Sequence, residues 1–334
     1  MIHPPRFWQN PDAKWLPFLL SPIAAVVSAW ADNRQAKKGW KAPVPVLCCG
    51  NITTGGTGKT TVVLDLVKRL QNRKIAVHAL IRGYGGKVKV TTRVDPARHT
   101  ISDVGDESLL LATHCPTWVG GDRVASARAA ISAGAQCLIM DDGFQNPGLH
   151  KDVSLLSVDG IVGLGNGHVL PAGPLRERAQ KALARASAVL LIGPDRTGFL
   201  ARYKWELAAC GPVLRAALQP DRADIAALKE RPCVAFAGLG RPSKFFEGLS
   251  EAGVILSQSL AFPDHYFYKA RDLERLITLA EQDGAQLVTT PKDAVRLPVF
   301  FRSRVQVVGV GLKWDDEMEP ERLLDRLFSS GTTR

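Results

Sequence analysis

Residues 50–61 read Gly-Asn-Ile-Thr-Thr-Gly-Gly-Thr-Gly-Lys-Thr-Thr and follow the apolar run Val44-Pro45-Val46-Leu47-Cys48-Cys49. The stretch behind them, 62–70, carries helix-like apolar spacing. A buried strand that enters a glycine-rich turn and leaves through Lys-Thr is the sequence form of a phosphate-cradling loop. Backbone N–H groups wrap the phosphates, Lys59 reaches the β and γ oxygens, and the Thr60 hydroxyl can ligate magnesium. The expected nucleotide-binding set is Asn51, Thr53, Thr54, Gly55, Gly56, Thr57, Gly58, Lys59, Thr60 and Thr61. Counting back from Gly58 puts Thr53 where the usual spacing has its first glycine. A glycine-rich turn without a ligand is the plain alternative, and the sequence on either side of the turn disfavours it.

The same alternation of strand and helix continues. Strand-like runs at 75–81, 117–119 and 137–140 are separated by helix-like segments near 106–114 and 124–133. Runs that are apolar on both faces imply a parallel sheet covered on both sides, with ligands gathered outside the carboxyl ends of its strands. Strand candidates at 153–158 and 188–192 flank a helix predicted at 175–186, with Pro174 as its first residue. A second series begins at Cys233-Val-Ala-Phe-Ala237, with helices at 245–251 and 273–281 and strands at 254–260, 287–290 and 305–310. The predicted fold is therefore α/β, a P-loop NTPase-like, mostly parallel sheet with helices on both faces plus a second, smaller α/β domain. The expected divisions are an amino-terminal membrane-associating segment (1–41), the core (42–219), the smaller domain (220–308), and a bridge strand with a closing helix (309–334). Strands at 213–218 and 307–312 would form the bridge, and the closing helix would run over 317–328.

Six cysteines without C-x-x-C spacing read as small buried hydrophobes in a reducing compartment. The net charge of +11 is concentrated in part at the start: Arg6, Lys14, Arg34, Lys37, Lys38 and Lys41 face only Asp12 and Asp32. A basic excess suits an anionic partner. From Trp15 to Ala31 no residue is charged, and tryptophans stand at both edges (Trp8, Trp15, Trp30, Trp40), with Lys and Arg flanking them. That is the pattern of a helix dipped into one leaflet. A core helix is the plainer alternative, and a cleaved signal peptide would export a nucleotide-using loop to where there is little ATP.

Asp141 and Asp142 end the strand-like run 137–140, where a P-loop enzyme keeps the carboxylate that serves magnesium, and Gln145 offers another oxygen nearby. Asp106 and Glu107 open a helix, where acids suit the dipole; a phosphoryl acceptor also needs a carboxylate to take its proton. His265, in Phe262-Pro263-Asp264-His265-Tyr266, ends a strand of the smaller domain and could reach the first domain's carboxylate on closure. Arg176 stands at the start of the predicted helix, where a cation is disfavoured, so an anion-binding role is expected.

Taken together, several segments resemble the tetraacyldisaccharide 4′-kinase family along nearly the whole chain and in the same order. They are 50–60, Arg82-Gly83-Tyr84-Gly85, Gly105-Asp106-Glu107, Asp141 to Gln145, Leu170 to Glu177, Phe262 to Tyr266 and Thr290-Pro291-Lys292-Asp293-Ala294. The resemblance implies an enzyme that uses ATP and Mg²⁺ at the cytoplasmic face of the bacterial inner membrane. It would phosphorylate the 4′-hydroxyl of the acylated glucosamine disaccharide 1-phosphate of lipid A synthesis. It further implies Asp106 as the base, His265 as its partner and Lys59 as the catalytic cation, with Thr60, Gln145, Asp141, Asp142 and Glu107 serving the metal. Arg82, Tyr84 and Arg176 would meet the substrate. The partners it implies are the lipid and an anionic membrane surface, with no nucleic acid and no protein partner inferred. Thr61 stands where the family pattern has proline and Asn146 where it often has histidine, which leaves position 146 without an assigned role.

The main rival from another class is a membrane-binding partition ATPase. Its loop needs a lysine where this chain has Thr54. A soluble kinase or ligase with the same loop would leave 15–31 unexplained.

Overall fold

The computed structural model describes residues 5–10, 12–228 and 230–329. Its strands are β1 (Val46–Gly50), β2 (Val77–Ile81), β3 (Thr92–Arg93), β4 (Thr117–Val119), β5 (Cys137–Asp141), β6 (Val153–Asp159), β7 (Ala188–Ile192), β8 (Val213–Pro220), β9 (Cys233–Ala237), β10 (Leu256–Ala261), β11 (Gln286–Thr289), β12 (Val305–Val307) and β13 (Val310–Trp314). Among the described residues they form a nine-stranded sheet in the order β13-β8-β7-β6-β1-β5-β2-β4-β3 and a four-stranded sheet in the order β10-β9-β11-β12. Only the edge pairs β13–β8 and β3–β4 are antiparallel. The central strands are buried on both faces because helices cover both, which is why they read as unbroken apolar runs.

The register of the large sheet sets the site. β1 lies between β5 and β6, and Cys49 pairs with Asp141, so the strand that feeds the phosphate loop ends beside the strand that carries the acidic pair. β1 is also where the chain's crossovers change direction, the switch point at which such sheets bind ligands. Gly50 permits this approach, since a Cβ there would stand 2.4 Å from the Cβ of Phe144.

The chain leaves the large sheet after Pro220 and returns at Val310, and β8 and β13 pair Pro220 with Val310 at that crossing. The single strand predicted over 305–310 is two strands on different sheets, separated by Val308 and Gly309. The closing helix Met318–Ser329 packs on the helix Lys59–Asn72. Arg69 meets Glu321 at 2.9 Å and Arg73 meets Asp325 at 2.7 Å.

The amino-terminal helix Trp15–Gln35 is long and apolar enough to cross a membrane by length and composition. Pro17, Ala24, Ser28 and Ala31 form a narrow stripe against the body of the protein. Most of its other apolar surface is exposed, led by Trp15 (84%) and Phe18 (77%). An apolar helix covered on one stripe only presents an unsatisfied surface to its surroundings. The segment before it and its last residue are tied down: Trp8 Nε1 donates to Pro171 O at 3.0 Å, and Gln35 Nε2 donates to Gln145 O at 2.9 Å.

A second predicted element also differs. The helix expected over 175–186 begins only at Ala179, as the helix Ala179–Arg185, so Pro174 is not a first helical residue and Arg176 stands outside the helix. The backbone of this segment bonds to the phosphate loop instead: Thr54 N donates to Pro174 O at 2.9 Å and Arg176 N to Ile52 O at 2.7 Å. Donors and acceptors engaged in that pairing are not available for a helical turn.

Candidate active site

The loop Asn51 to Gly58 is shaped from within by Asn51, whose side chain is fully buried. Asn51 Nδ2 donates to Gly55 O at 3.2 Å, and Asn51 Oδ1 accepts from Lys59 Nζ at 3.1 Å. Gly55 and Gly58 have φ of 124° and 81°, a region that side chains disfavour, and Gly58 opens the helix Lys59–Asn72. The first turn of that helix places Thr60 Oγ1 3.5 Å from Glu107 Oε1. The hydroxyls of Thr54 and Thr57 are buried with no partner in the protein, as groups awaiting a polar ligand would be.

At the end of β5 the two aspartates divide. Asp141 is buried with both carboxylate oxygens unpartnered. Burial, joined by the Glu107 charge, pushes its carboxyl up to about 7. Asp142, with φ +54°, faces the loop: Lys59 Nζ lies 3.6 Å from it and Arg176 Nη1 2.9 Å. Burial opposes its ionised form, but these two cations hold its carboxyl below the usual range. Gln145 donates to Asn51 O at 2.8 Å and to the buried Glu177 at 3.1 Å, while its carbonyl oxygen lies 3.3 Å from Arg176 Nη1. Asn146 only caps a turn, accepting from Gly148 N and Leu149 N.

Arg176 therefore reaches the site although the helix-start argument for it fails. Its partner is the protein's own carboxylate, with the phosphate loop at its back.

A second polar cluster is assembled across the two sheets. Asp106 Oδ1 accepts from Glu107 N at 2.9 Å. Its Oδ2 meets His265 Nδ1 at 3.0 Å, Arg296 Nε at 2.8 Å and Arg296 Nη2. Burial would raise the Asp106 carboxyl, yet the His265 hydrogen bond and the Arg296 charge hold it well below the ordinary carboxylate range. The hydrogen bond to Asp106 raises the His265 imidazole, which remains the easier of the pair to protonate. His265 itself has φ +90°, an uncommon backbone conformation of the kind that collects at functional sites. Tyr84 is exposed, and its ring centroid lies 6.3 Å from that of His265; Arg82 is exposed on the same loop.

Sequence reasoning did not assign roles to Lys292 and Arg296, on the helix Pro291–Arg296 that follows β11. Lys292 Nζ is 2.5 Å from Glu107 Oε1, and that ammonium offsets the burial of the Glu107 carboxyl and holds it low. Arg296 is fixed by Asp293 Oδ1 at 3.1 Å and Gly238 O at 2.6 Å. Asp293 is itself held by Tyr268 OH at 2.9 Å and Thr290 Oγ1 at 2.7 Å. The segment Thr290 to Ala294 carried the only signal, as part of the family pattern. Arg123 was also missed: it is buried near Asp141 and Asp142, and its Nε has no partner.

With a glycine-rich loop that ends in Lys59 and Thr60, and a carboxylate–histidine pair beside it that joins the two sheets, the fold and site define a P-loop phosphotransferase. The sequence model of the family described as "Tetraacyldisaccharide-1-P 4′-kinase" matches residues 16–329. A tetraacyldisaccharide 4′-kinase of Gluconacetobacter diazotrophicus is 55% identical over 324 residues, covering 97% of this chain and 98% of that protein. One from Gluconobacter oxydans is 53% identical over 327 residues, 98% of each. The crystal structure of LpxK from Aquifex aeolicus in complex with ATP has a TM-score of 0.75 at 27% identity, covering 94% of this chain and 99% of that one. This chain belongs to the tetraacyldisaccharide 4′-kinase family.

Proposed function

We propose that the chain transfers the γ-phosphoryl group of ATP to the 4′-hydroxyl of tetraacyl glucosamine disaccharide 1-phosphate, a step of lipid A synthesis. The observation that carries this, in a chain of that family, is the Asp106–His265 pair, whose neighbour Glu107 meets the Thr60 hydroxyl next to Lys59. Asp106, kept ionised by Arg296 and His265, accepts a hydrogen bond from the hydroxyl and aims its oxygen at the γ phosphorus. The proton is left on the Asp106–His265 pair as the new bond forms. A loose transition state asks for little more than such positioning and charge. Lys59 stabilises charge on the phosphates, and Arg176 stands ready to exchange Asp142 for a phosphate oxygen. Tyr84 and Arg82 meet the sugar end of the acceptor.

The donor set fits a magnesium ion. The orphaned carboxylate of Asp141, the Thr60 hydroxyl and Glu107 are hard oxygen groups around the phosphate position, the type this ion prefers. Among the described residues no three His, Cys, Asp or Glu side chains converge as a protein-only metal cage, so phosphate oxygens and water would complete the shell. Gln145 and Asp142 reach it only by giving up their contacts with Asn51 and with Lys59 and Arg176. When bound, the ion neutralises phosphate charge.

The exposed apolar surface of Trp15–Gln35, flanked by Lys14, Arg34, Lys37 and Lys38, would seat the enzyme on an anionic membrane, where its lipid substrate resides. The test is transfer of labelled γ-phosphate from ATP to the purified disaccharide in detergent micelles. Product lacking label at the 4′ position would refute it.

A further inference from the structure

The ammonium of Lys292 belongs to the smaller sheet's layer but lies against the phosphate-loop side of the cleft. It sits 2.5 Å from Glu107 Oε1, the same oxygen that is 3.5 Å from the Thr60 hydroxyl. Two groups that converge on one oxygen cannot be farther apart than those two distances laid end to end. Thr60 directly follows the loop lysine, where the terminal phosphates of a bound nucleotide lie, so Lys292 already stands beside that position.

Its pairing with Glu107 does not exhaust the group. An ammonium carries three donors, and among the described residues only Glu107 accepts one from Lys292. The arm that delivers it is rigid. One helical turn further on, Arg296, with its side chain 2% exposed, is locked to Asp106, Asp293 and Gly238 O. The loop lysine Lys59 comes from the large sheet's layer instead, bonded to Asn51.

We infer that Lys292 is a catalytic cation for the transferring phosphoryl group, supplied by the smaller sheet in addition to Lys59. The inference rests on the phosphotransfer proposed above. In that step the bond between the γ phosphorus and the β–γ bridging oxygen breaks, and the bond to the acceptor oxygen forms. The leaving electron pair stays on ADP, and the acceptor proton passes to the Asp106–His265 pair. Lys292 remains protonated throughout and donates an N–H to a γ oxygen, where charge is spread during transfer.

Lys292→Met and Lys292→Arg in the full chain test this, read by turnover, by equilibrium binding of ADP and of the β,γ-imido analogue of ATP, and by thermal melting. Lys292→Met should lower kcat about 100-fold and weaken the imido analogue about tenfold, with ADP binding unchanged, because ADP has no γ-phosphate. Lys292→Arg should recover at least part of the lost turnover. If ADP and the analogue weaken together, or kcat stays within a few-fold of the parent, the group is not a γ-phosphate ligand. Should the Met variant fail to fold, Lys292→Gln gives the same readouts. Parental turnover on the disaccharide is a separate control, so a wrong acceptor is distinguishable from a wrong role for Lys292, which the two nucleotides test without any acceptor.

Discussion

Replacing Asp106 by asparagine separates chemistry from scaffolding. The carboxylate accepts from Glu107 N on one oxygen and from His265 and Arg296 on the other. Asparagine keeps the shape but swaps one acceptor for an NH₂ donor. The amide oxygen will stay with Arg296 and His265, which leaves the NH₂ facing the Glu107 N–H. A buried donor facing a donor costs about 1–3 kcal/mol. Arg296 keeps Asp293 and Gly238 O, so the cost stays below the roughly 3–5 kcal/mol of a fully broken buried pair. The chemical loss is larger. An acceptor carboxylate that orients the hydroxyl and takes its proton is worth about 10²–10⁴ in rate, or roughly 3–5 kcal/mol of barrier. The variant should therefore lose kcat by that factor while ATP affinity, set by the loop, barely moves. The assay is labelled phosphate transfer in micelles, with nucleotide affinity measured separately and urea unfolding for stability. Turnover within tenfold of the parent would refute the role given to Asp106. So would a loss of stability large enough to account for the missing rate.

Three further outcomes are expected. Gly58→Ala forces a side chain into φ +81° with its Cβ 3.3 Å from Leu218 Cδ1. It should cost about 1–2 kcal/mol of stability and weaken ATP binding, which calorimetry would show. His265→Asn suits the positive φ and removes the imidazole, whose pKa is raised in the folded chain by Asp106. A raised pKa contributes stability that is fully present below the unfolded value of about 6.5 and fades as pH climbs through the folded one. The gap in urea midpoint between parent and variant should then be widest in mild acid and narrow once the pH has passed the raised folded value; a gap independent of pH would contradict the ion pair. Trp15→Glu with Phe18→Glu alters two exposed positions, so melting should hold while sedimentation with anionic vesicles falls. Unchanged sedimentation would remove this helix from membrane docking.

The parts of the molecule legible in its sequence are those with local causes. The strand, loop and helix around Lys59, the β5 end at Asp141, and the strands β7 and β9 stand where expected because a doubly buried strand must be continuously apolar. Short elements escaped for the opposite reason: Thr92–Arg93, Ile101–Val104 and Val299–Arg302 are too brief to carry a period. The segment after Pro171 was misread because a proline before apolar and charged residues is a helix-start signal, while its backbone is engaged by Ile52 and Thr54 of the phosphate loop. No local signal reports a partner so distant in the chain.

By itself the sequence determined that a phosphate loop would exist, that acidic residues would end the neighbouring strand, and that an apolar helix would precede both. Glycine conformations, strand periodicity and the apolar run at 15–31 are properties of consecutive residues. What only the tertiary structure decided is which cations partner Asp106 and Glu107. Lys292 and Arg296 meet Glu107 and Asp106 across 185 and 190 residues of chain. Those charges would be costly to bury alone, and folding the two sheets against one cleft is what gives each its partner.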